Sequence, residues 1–153
     1  MMQGNVFLGL GSNLGEREAY LDDAIARLNR DQNINVLNRS SMMETEPLGE
    51  LSQPLFLNMV VEIETKYDPL KLLDVCLAIE LANGRVRGQR WGPRTLDIDI
   101  LFYGSEIINK PSLQIPHPEV ARRYFVLAPM AEIAPKFEHP VLKEPVLAML
   151  QLL

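Results

Sequence analysis

Hydrophobic and polar positions alternate along this chain in two rhythms, one of period two and one near 3.6 residues. Residues 5–10, Asn-Val-Phe-Leu-Gly-Leu, read as a short apolar strand running into Gly11-Ser12-Asn13. Residues 16–30 place Leu21, Ala24, Ile25 and Leu28 on one helical stripe, with Ser12 or Asn13 available as a cap. Glu16 and Glu18 in the first turn and Arg27 and Arg30 in the last suit the helix dipole. A strand is expected over about residues 34–43, and a clearer one over 55–65. In the latter, Leu57, Met59, Val61 and Ile63 share one face, and Phe56, Asn58, Val60 and Glu62 the other.

Asp68-Pro69 opens a second helix with a cap residue and a first-position proline. Its stripe is Leu72, Leu73, Cys76 and Ile79, and Asn83-Gly84 closes it in the left-handed manner. A loop is expected over 84–95, a strand over 96–103, a Gly104-Ser105 turn, and a short strand near 106–108. Residues 116–134 read as two short helical pieces around an extended segment, and 144–153 as a weakly marked terminal helix. Strand–helix–strand occurring twice predicts an α+β sandwich with a largely antiparallel sheet.

Composition narrows the classes. The 153 residues, without repeats or linkers, predict one domain spanning 1–153. At 47% apolar and 23% charged residues the chain belongs with globular proteins, not disordered ones. One cysteine, Cys76, excludes an internal disulfide framework and fits a reducing cytoplasm. The apolar runs are too short to span a bilayer, and the first residues do not read as a secretory signal. A net charge of −5 argues against binding nucleic acid through average charge, so any affinity for a polyanion must come from a local patch.

That patch is 84–99. In Leu96-Asp-Ile-Asp-Ile100 the period-two rule sends the three apolar residues one way and Asp97 and Asp99 the other. Two carboxylates roughly 7 Å apart on one strand face repel, and a divalent metal offsets that repulsion. Solvation, or pairing with nearby arginines, is the bland alternative for an isolated pair. The pair is not isolated, because Arg85, Arg87, Arg90 and Arg94 precede it, punctuated by Gly84, Gly88, Gly92 and Pro93 around Trp91. Arginine suits multidentate phosphate contact, so cations leading into paired anions point to a metal-bound polyphosphate.

Other segments are weaker on their own. Gly9-Leu-Gly-Ser-Asn-Leu-Gly15 fits neither a dinucleotide fingerprint nor a Walker loop and reads as a tight strand-to-helix turn. Phe56 and Asn58 could stack on and hydrogen-bond to a flat heterocycle, although a strand phenylalanine is commonly core. His117 stands between two prolines with Arg122, Arg123 and Phe125 close behind. No nucleophile–base pair is set up by spacing.

Four strings together resemble the 6-hydroxymethyl-7,8-dihydropterin pyrophosphokinase family of folate biosynthesis. They are LGLGSNLGER at 8–17, SQPLFLN at 52–58, GRVRGQRWGPRTLDIDILFYG at 84–104 and IPHPEVARRYFVLAPMAEIAP at 115–135. The resemblance implies a ferredoxin-like α+β fold and pyrophosphoryl transfer from ATP to the pterin hydroxymethyl oxygen, releasing AMP. It implies Asp97 and Asp99 as ligands of two Mg²⁺ ions, and Arg85 and Arg94 as cations that assist transfer. Arg87, His117 and Arg123 correspond to phosphate contacts, Glu80 and Ile100 to the nucleotide pocket, and Trp91 to a residue closing over it. Thr45, Leu48 and Asn58 correspond to pterin contacts, with Phe56 and Phe125 as aromatic walls. The sequence departs from the family pattern at Met43, Ser52 and Leu77. A cytoplasmic monomer acting on small molecules, with no nucleic-acid or membrane partner, is the corresponding expectation. Two other classes remain to be discriminated by experiment: an RNA-binding α+β module and a metal-dependent phosphoesterase.

Overall fold

The computed structural model describes residues 1–46, 54–84 and 95–153. Within them run β1 (Gln3–Ser12), α1 (Arg17–Arg30), β2 (Ile34–Arg39), β3 (Met43–Thr45), β4 (Phe56–Thr65), α2 (Pro69–Ala82) and β5 (Asp97–Tyr103). A hairpin of β6 (Ile108–Lys110) and β7 (Leu113–Ile115) follows, then a 3₁₀ turn at Val120–Arg122, α3 (Tyr124–Ile133) and α4 (Val146–Gln151). The main sheet is antiparallel in the order β2-β4-β1-β5, with β3 on the same edge of β4 as β2. Two β-α-β halves interleaved in this way make the ferredoxin-like α+β arrangement.

Strand alternation divides the sheet cleanly. Val6, Leu8 and Leu10 of β1, Leu57, Met59, Val61 and Ile63 of β4, and Leu96, Ile98 and Ile100 at β5 face α1 and α2. The helices answer with Leu21, Ala24, Ile25 and Leu28 from α1 and Leu72, Cys76 and Ile79 from α2. The thiol of Cys76 is wholly buried, and burial, with the Glu80 and Asp99 carboxylates, pushes its pKa far up. On the opposite face Phe7, Val60, Leu101 and Phe102 meet Val126, Leu127 and Met130 of α3 and Val146 and Met149 of α4. Phe7, Phe102 and Phe137 form a compact aromatic cluster there, with ring centroids 4.9–6.3 Å apart.

Local signals explain most element ends. The Asp68 side chain accepts the Lys71 N–H at 2.8 Å and Pro69 opens α2, while Gly84 beyond it adopts φ +76°. The expected cap of α1 is corrected: neither Ser12 nor Asn13 caps it. Ser12 ends β1, Asn13 donates to the Pro54 carbonyl, and Glu16 occupies the cap position without a side-chain bond. The turn that enters α1 is tighter and later than expected, with Gly15 at φ +74°.

The strand expected over 34–43 is broken into β2 and β3 at Ser40. Its N–H donates to the Val60 carbonyl, and its hydroxyl accepts the Val60 N–H, both at 2.9 Å. A side-chain oxygen thus takes over the ladder, and the chain resumes pairing lower down β4. The piece expected near 106–108 lies at 108–110, paired with β7, which the sequence pattern did not announce. Arg123 alone, extended at φ −108° and ψ 108°, separates the two helical pieces after Pro116.

Candidate active site

β1 carries Gly9 and Gly11 two positions apart, both on the face away from α1 and α2. Gly11 lies between Asn58 of β4 and Asp97 of β5, and Gly9 between Val60 and Asp99. The middle strand therefore presents a bare floor, with polar side chains rising from the strands beside it. Asn58 and Asp97 are two strand spacings apart, about 10 Å. A cleft opens over this floor.

At the β4 end the Asn58 carboxamide, 8% exposed, donates from Nδ2 to Thr45 Oγ1 at 2.6 Å. That hydrogen bond exists because β3 pairs with the start of β4, placing Met43 opposite Asn58 and Thr45 opposite Phe56. Phe56 stands on the same side of β4 as Asn58 and borders the cleft. Across from it Phe125 and Arg123, at the start of α3, form another wall, the guanidinium carbon 5.5 Å from the ring centroid. A cation at that range is attracted by the ring face, which holds the arginine beside the opening.

At the β5 end Asp97 and Asp99 are half-buried and both border the cleft. The strand between them is anchored from behind. Glu80 of α2, 3% exposed, accepts the Ile98 N–H at 2.8 Å through Oε2. Beyond Ile100 the register with β1 slips, since Leu8 pairs with Ile100 but Phe7 with Phe102. Leu101 is the extra residue of a β-bulge: alternation points it to the cleft side beside Gly9, and the bulge leaves Phe102 on that same face.

His117 is hooked to that bulge, its N–H donating to the Leu101 carbonyl at 3.0 Å. Its Nδ1 accepts the Glu119 N–H at 3.1 Å, which leaves the ring proton on Nε2, 3.9 Å from Asp99 Oδ2. Burial lowers the His117 pKa, and Arg123 lowers it further against the opposing pull of Asp97 and Glu119. The imidazole is therefore neutral near pH 7, a donor aimed at the carboxylate end of the cleft.

Of the residues singled out in the sequence, Thr45, Phe56, Asn58, Asp97, Asp99, Arg123 and Phe125 meet in one cleft, with His117 at its flank. The structure does not bring Glu80 or Ile100 to it. Strand alternation turns Ile100 toward the helices, and Glu80 accepts the Ile98 N–H. Leu48, Arg85, Arg87, Trp91 and Arg94 lie outside the described residues. Sequence reasoning missed Gly9 and Gly11, which it assigned to a turn; their spacing of two inside an apolar strand was the available signal. It also missed Glu46 and Val126, which border the cleft without any local pattern to mark them.

Among the described residues no group of three or more histidine, cysteine, aspartate or glutamate side chains is arranged to hold a metal. The two aspartates nevertheless suit magnesium, which takes one or two carboxylates and completes its shell with water and phosphate oxygens. Both are half-buried on one face, and the glycines opposite them leave their approach clear.

The fold and cleft define a ferredoxin-like α+β protein with carboxylate, amide and aromatic side chains gathered over one face of its sheet. Residues 7–135 match the family described as 7,8-dihydro-6-hydroxymethylpterin-pyrophosphokinase (HPPK). The chain is 46% identical over 137 residues to the 2-amino-4-hydroxy-6-hydroxymethyldihydropteridine pyrophosphokinase of Bacillus subtilis, covering 90% of this chain and 82% of that one. It is 48% identical over 129 residues to the enzyme of the same name from Methylorubrum extorquens, covering 84% and 82%. In three dimensions it resembles the Plasmodium falciparum HPPK-DHPS crystal structure with pteroate at a TM-score of 0.78. There the identity is 17%, and the likeness covers 99% of this chain but 42% of that one, so it speaks for the fold. The chain belongs to the hydroxymethyldihydropterin pyrophosphokinase family.

Proposed function

We infer that this chain performs the reaction its family is named for. It transfers the pyrophosphoryl group of ATP to the hydroxymethyl oxygen of 6-hydroxymethyl-7,8-dihydropterin, giving the pterin diphosphate and AMP in folate biosynthesis. The observation that carries the reading is the shared floor: a hydrogen-bonded amide–hydroxyl pair and two carboxylates border one cleft about 10 Å apart. That distance accommodates a bicyclic heterocycle at one end and phosphates at the other.

The residues divide the work accordingly. Asn58 and Thr45 supply donors and an acceptor to the polar edge of the pterin, and Phe56 and Phe125 flank its ring. Asp97 and Asp99 hold two magnesium ions, which when bound supply neutralisation of phosphate charge and polarise the oxygens they hold. Arg123, held beside Phe125, and the Nε2–H of neutral His117 donate to phosphate oxygens. Arg85 and Arg94 complete the reading as cations assisting transfer, with Arg87 and Trp91 at the nucleotide and Leu48 at the pterin. Glu80 acts from behind, fixing the strand between the two carboxylates. No side-chain general base is required, because phosphoryl transfer asks the protein chiefly for positioning and charge compensation. A single thiol fits the reducing cytoplasm. Among the described residues no helix is long and apolar enough to cross a membrane.

Product analysis tests the reaction. With magnesium and ATP, AMP and pterin diphosphate should form only when the hydroxymethyl pterin is added, and a chelator should stop both. Release of inorganic phosphate at the same rate without pterin would overturn the assignment in favour of hydrolysis.

A further inference from the structure

We propose that Gly11 is a specificity-determining positioning residue, and that its missing side chain keeps the Asn58 carboxamide aimed at the heterocycle. The inference rests on the pterin reading above and adds a residue to it. Gly11 pairs directly with Asn58 and Asp97 in the centre of the sheet, so its Cα forms the floor between the two ends of the cleft. A Cβ at Gly11 would stand 2.9 Å from Asn58 Oδ1, closer than such atoms approach, whereas Phe56 Cδ1 and the Leu57 carbonyl lie 3.7 and 3.9 Å away. The obstacle is therefore one side-chain oxygen and nothing in the backbone.

Gly11 has no left-handed φ, so alanine fits its backbone without strain. The clash is relieved by turning the carboxamide, and turning it breaks the 2.6 Å bond from Nδ2 to Thr45 Oγ1. As it stands, the amide spends one N–H on Thr45 and keeps the other N–H and Oδ1 in one fixed plane. A fixed donor beside a fixed acceptor matches the lactam edge of a pterin, and a rotated amide does not. Gly9 on the same floor has no such role, since a Cβ there meets only Leu101 methyls at 3.4–3.5 Å. Gly11 thus acts through Asn58, on the heterocycle and not on the nucleotide.

The test is a binding cycle with 6-hydroxymethylpterin and α,β-methylene-ATP in the presence of magnesium. Gly11→Ala should weaken the pterin about tenfold, the cost of one misplaced buried hydrogen-bonding group, and leave the nucleotide Kd within about twofold. In an Asn58→Ala background the same substitution should add nothing. Unchanged pterin affinity in Gly11→Ala, equal weakening of both ligands, or a full additive loss on top of Asn58→Ala would each overturn the proposal. If Gly11→Ala alone does not fold, the double variant with Asn58→Ala decides. With Asn58 Oδ1 as the one close obstacle to a Cβ at Gly11, removing that side chain should restore folding, and a double variant that still fails to fold overturns the proposal. Wild-type protein that binds no pterin and makes no AMP would instead overturn the reaction itself, a separate outcome.

Discussion

On the helix side of β5, Leu96, Ile98 and Ile100 are at most 5% exposed and pack into the main core. One position along, Asp97 and Asp99 turn the other way and border the cleft at half exposure. The same division crosses β1, where Leu8 and Leu10 are buried against helices while Gly9 and Gly11 leave the opposite face bare. It crosses β4 as well, with Met59 behind and Asn58 in front. Neighbouring residues on a strand thus face opposite ways, one set packing against the helices and the other bordering the cleft. The lesson is that substitutions one residue apart should separate activity from stability.

The largest contrast is expected at the carboxylates. Asp97→Ala or Asp99→Ala should lower the rate of AMP formation on the order of a thousand-fold, the scale of several kcal/mol of lost charge stabilisation. The urea midpoint of either variant should stay near that of the wild type, since both side chains border the cleft and neither belongs to the core packed against the helices. Residual turnover near wild type would remove the aspartates from the site, and a collapse in stability would break the division between faces. Leu8→Ala should behave in the opposite way. It deletes a wholly buried side chain against the helices and should cost about 3 kcal/mol of stability while the folded fraction keeps its turnover. Denaturant titration alongside kcat per folded molecule checks both halves of that statement. Asp68→Ala, at the start of α2, should cost about 1 kcal/mol through loss of the bond to the Lys71 N–H, again with kcat preserved.

The smallest expected effect concerns pH. Burial lowers the pKa of His139 from its ordinary 6.5, and its Nδ1 accepts from the Val141 and Leu142 N–H groups. Below about pH 6.5 the unfolded chain binds a proton that the folded chain resists, so stability falls on acidification until the lowered pKa is reached. His117 contributes with the same sign. His139→Asn keeps a side-chain acceptor without a titrating ring, and the unfolding free energy should decline less between roughly pH 7 and 5. An unchanged slope would exclude His139 from the effect.

Alternation made much of this legible beforehand. It separated Leu57, Met59, Val61 and Ile63 from Phe56 and Asn58, and Asp97 and Asp99 from their apolar neighbours, because one face of each strand is buried against helices. It failed where both faces are buried. Ile100, Leu101, Phe102 and Tyr103 are all apolar and all enclosed, so the bulge at Leu101 left no trace in the pattern. The break at Ser40 depends on Val60, twenty positions away, and no local spacing encodes it. Gly9 and Gly11 were hidden by a different cause: paired glycines before a helix suggest a turn, and only the strands on either side show that they form a floor. In the cleft, Thr45 was reachable through family resemblance alone, since its partner Asn58 becomes its neighbour only when β3 adds to β4.

The lone sulfhydryl of Cys76 has a practical side. It is fully enclosed beneath the sheet, and its raised pKa keeps it protonated, hence unreactive toward maleimides and disulfide reagents at neutral pH. This chain is therefore chemically silent to thiol labelling while folded. A cysteine introduced at an exposed position, Ile107 for instance, would take up a spin label or dye at that one place without first removing the native thiol.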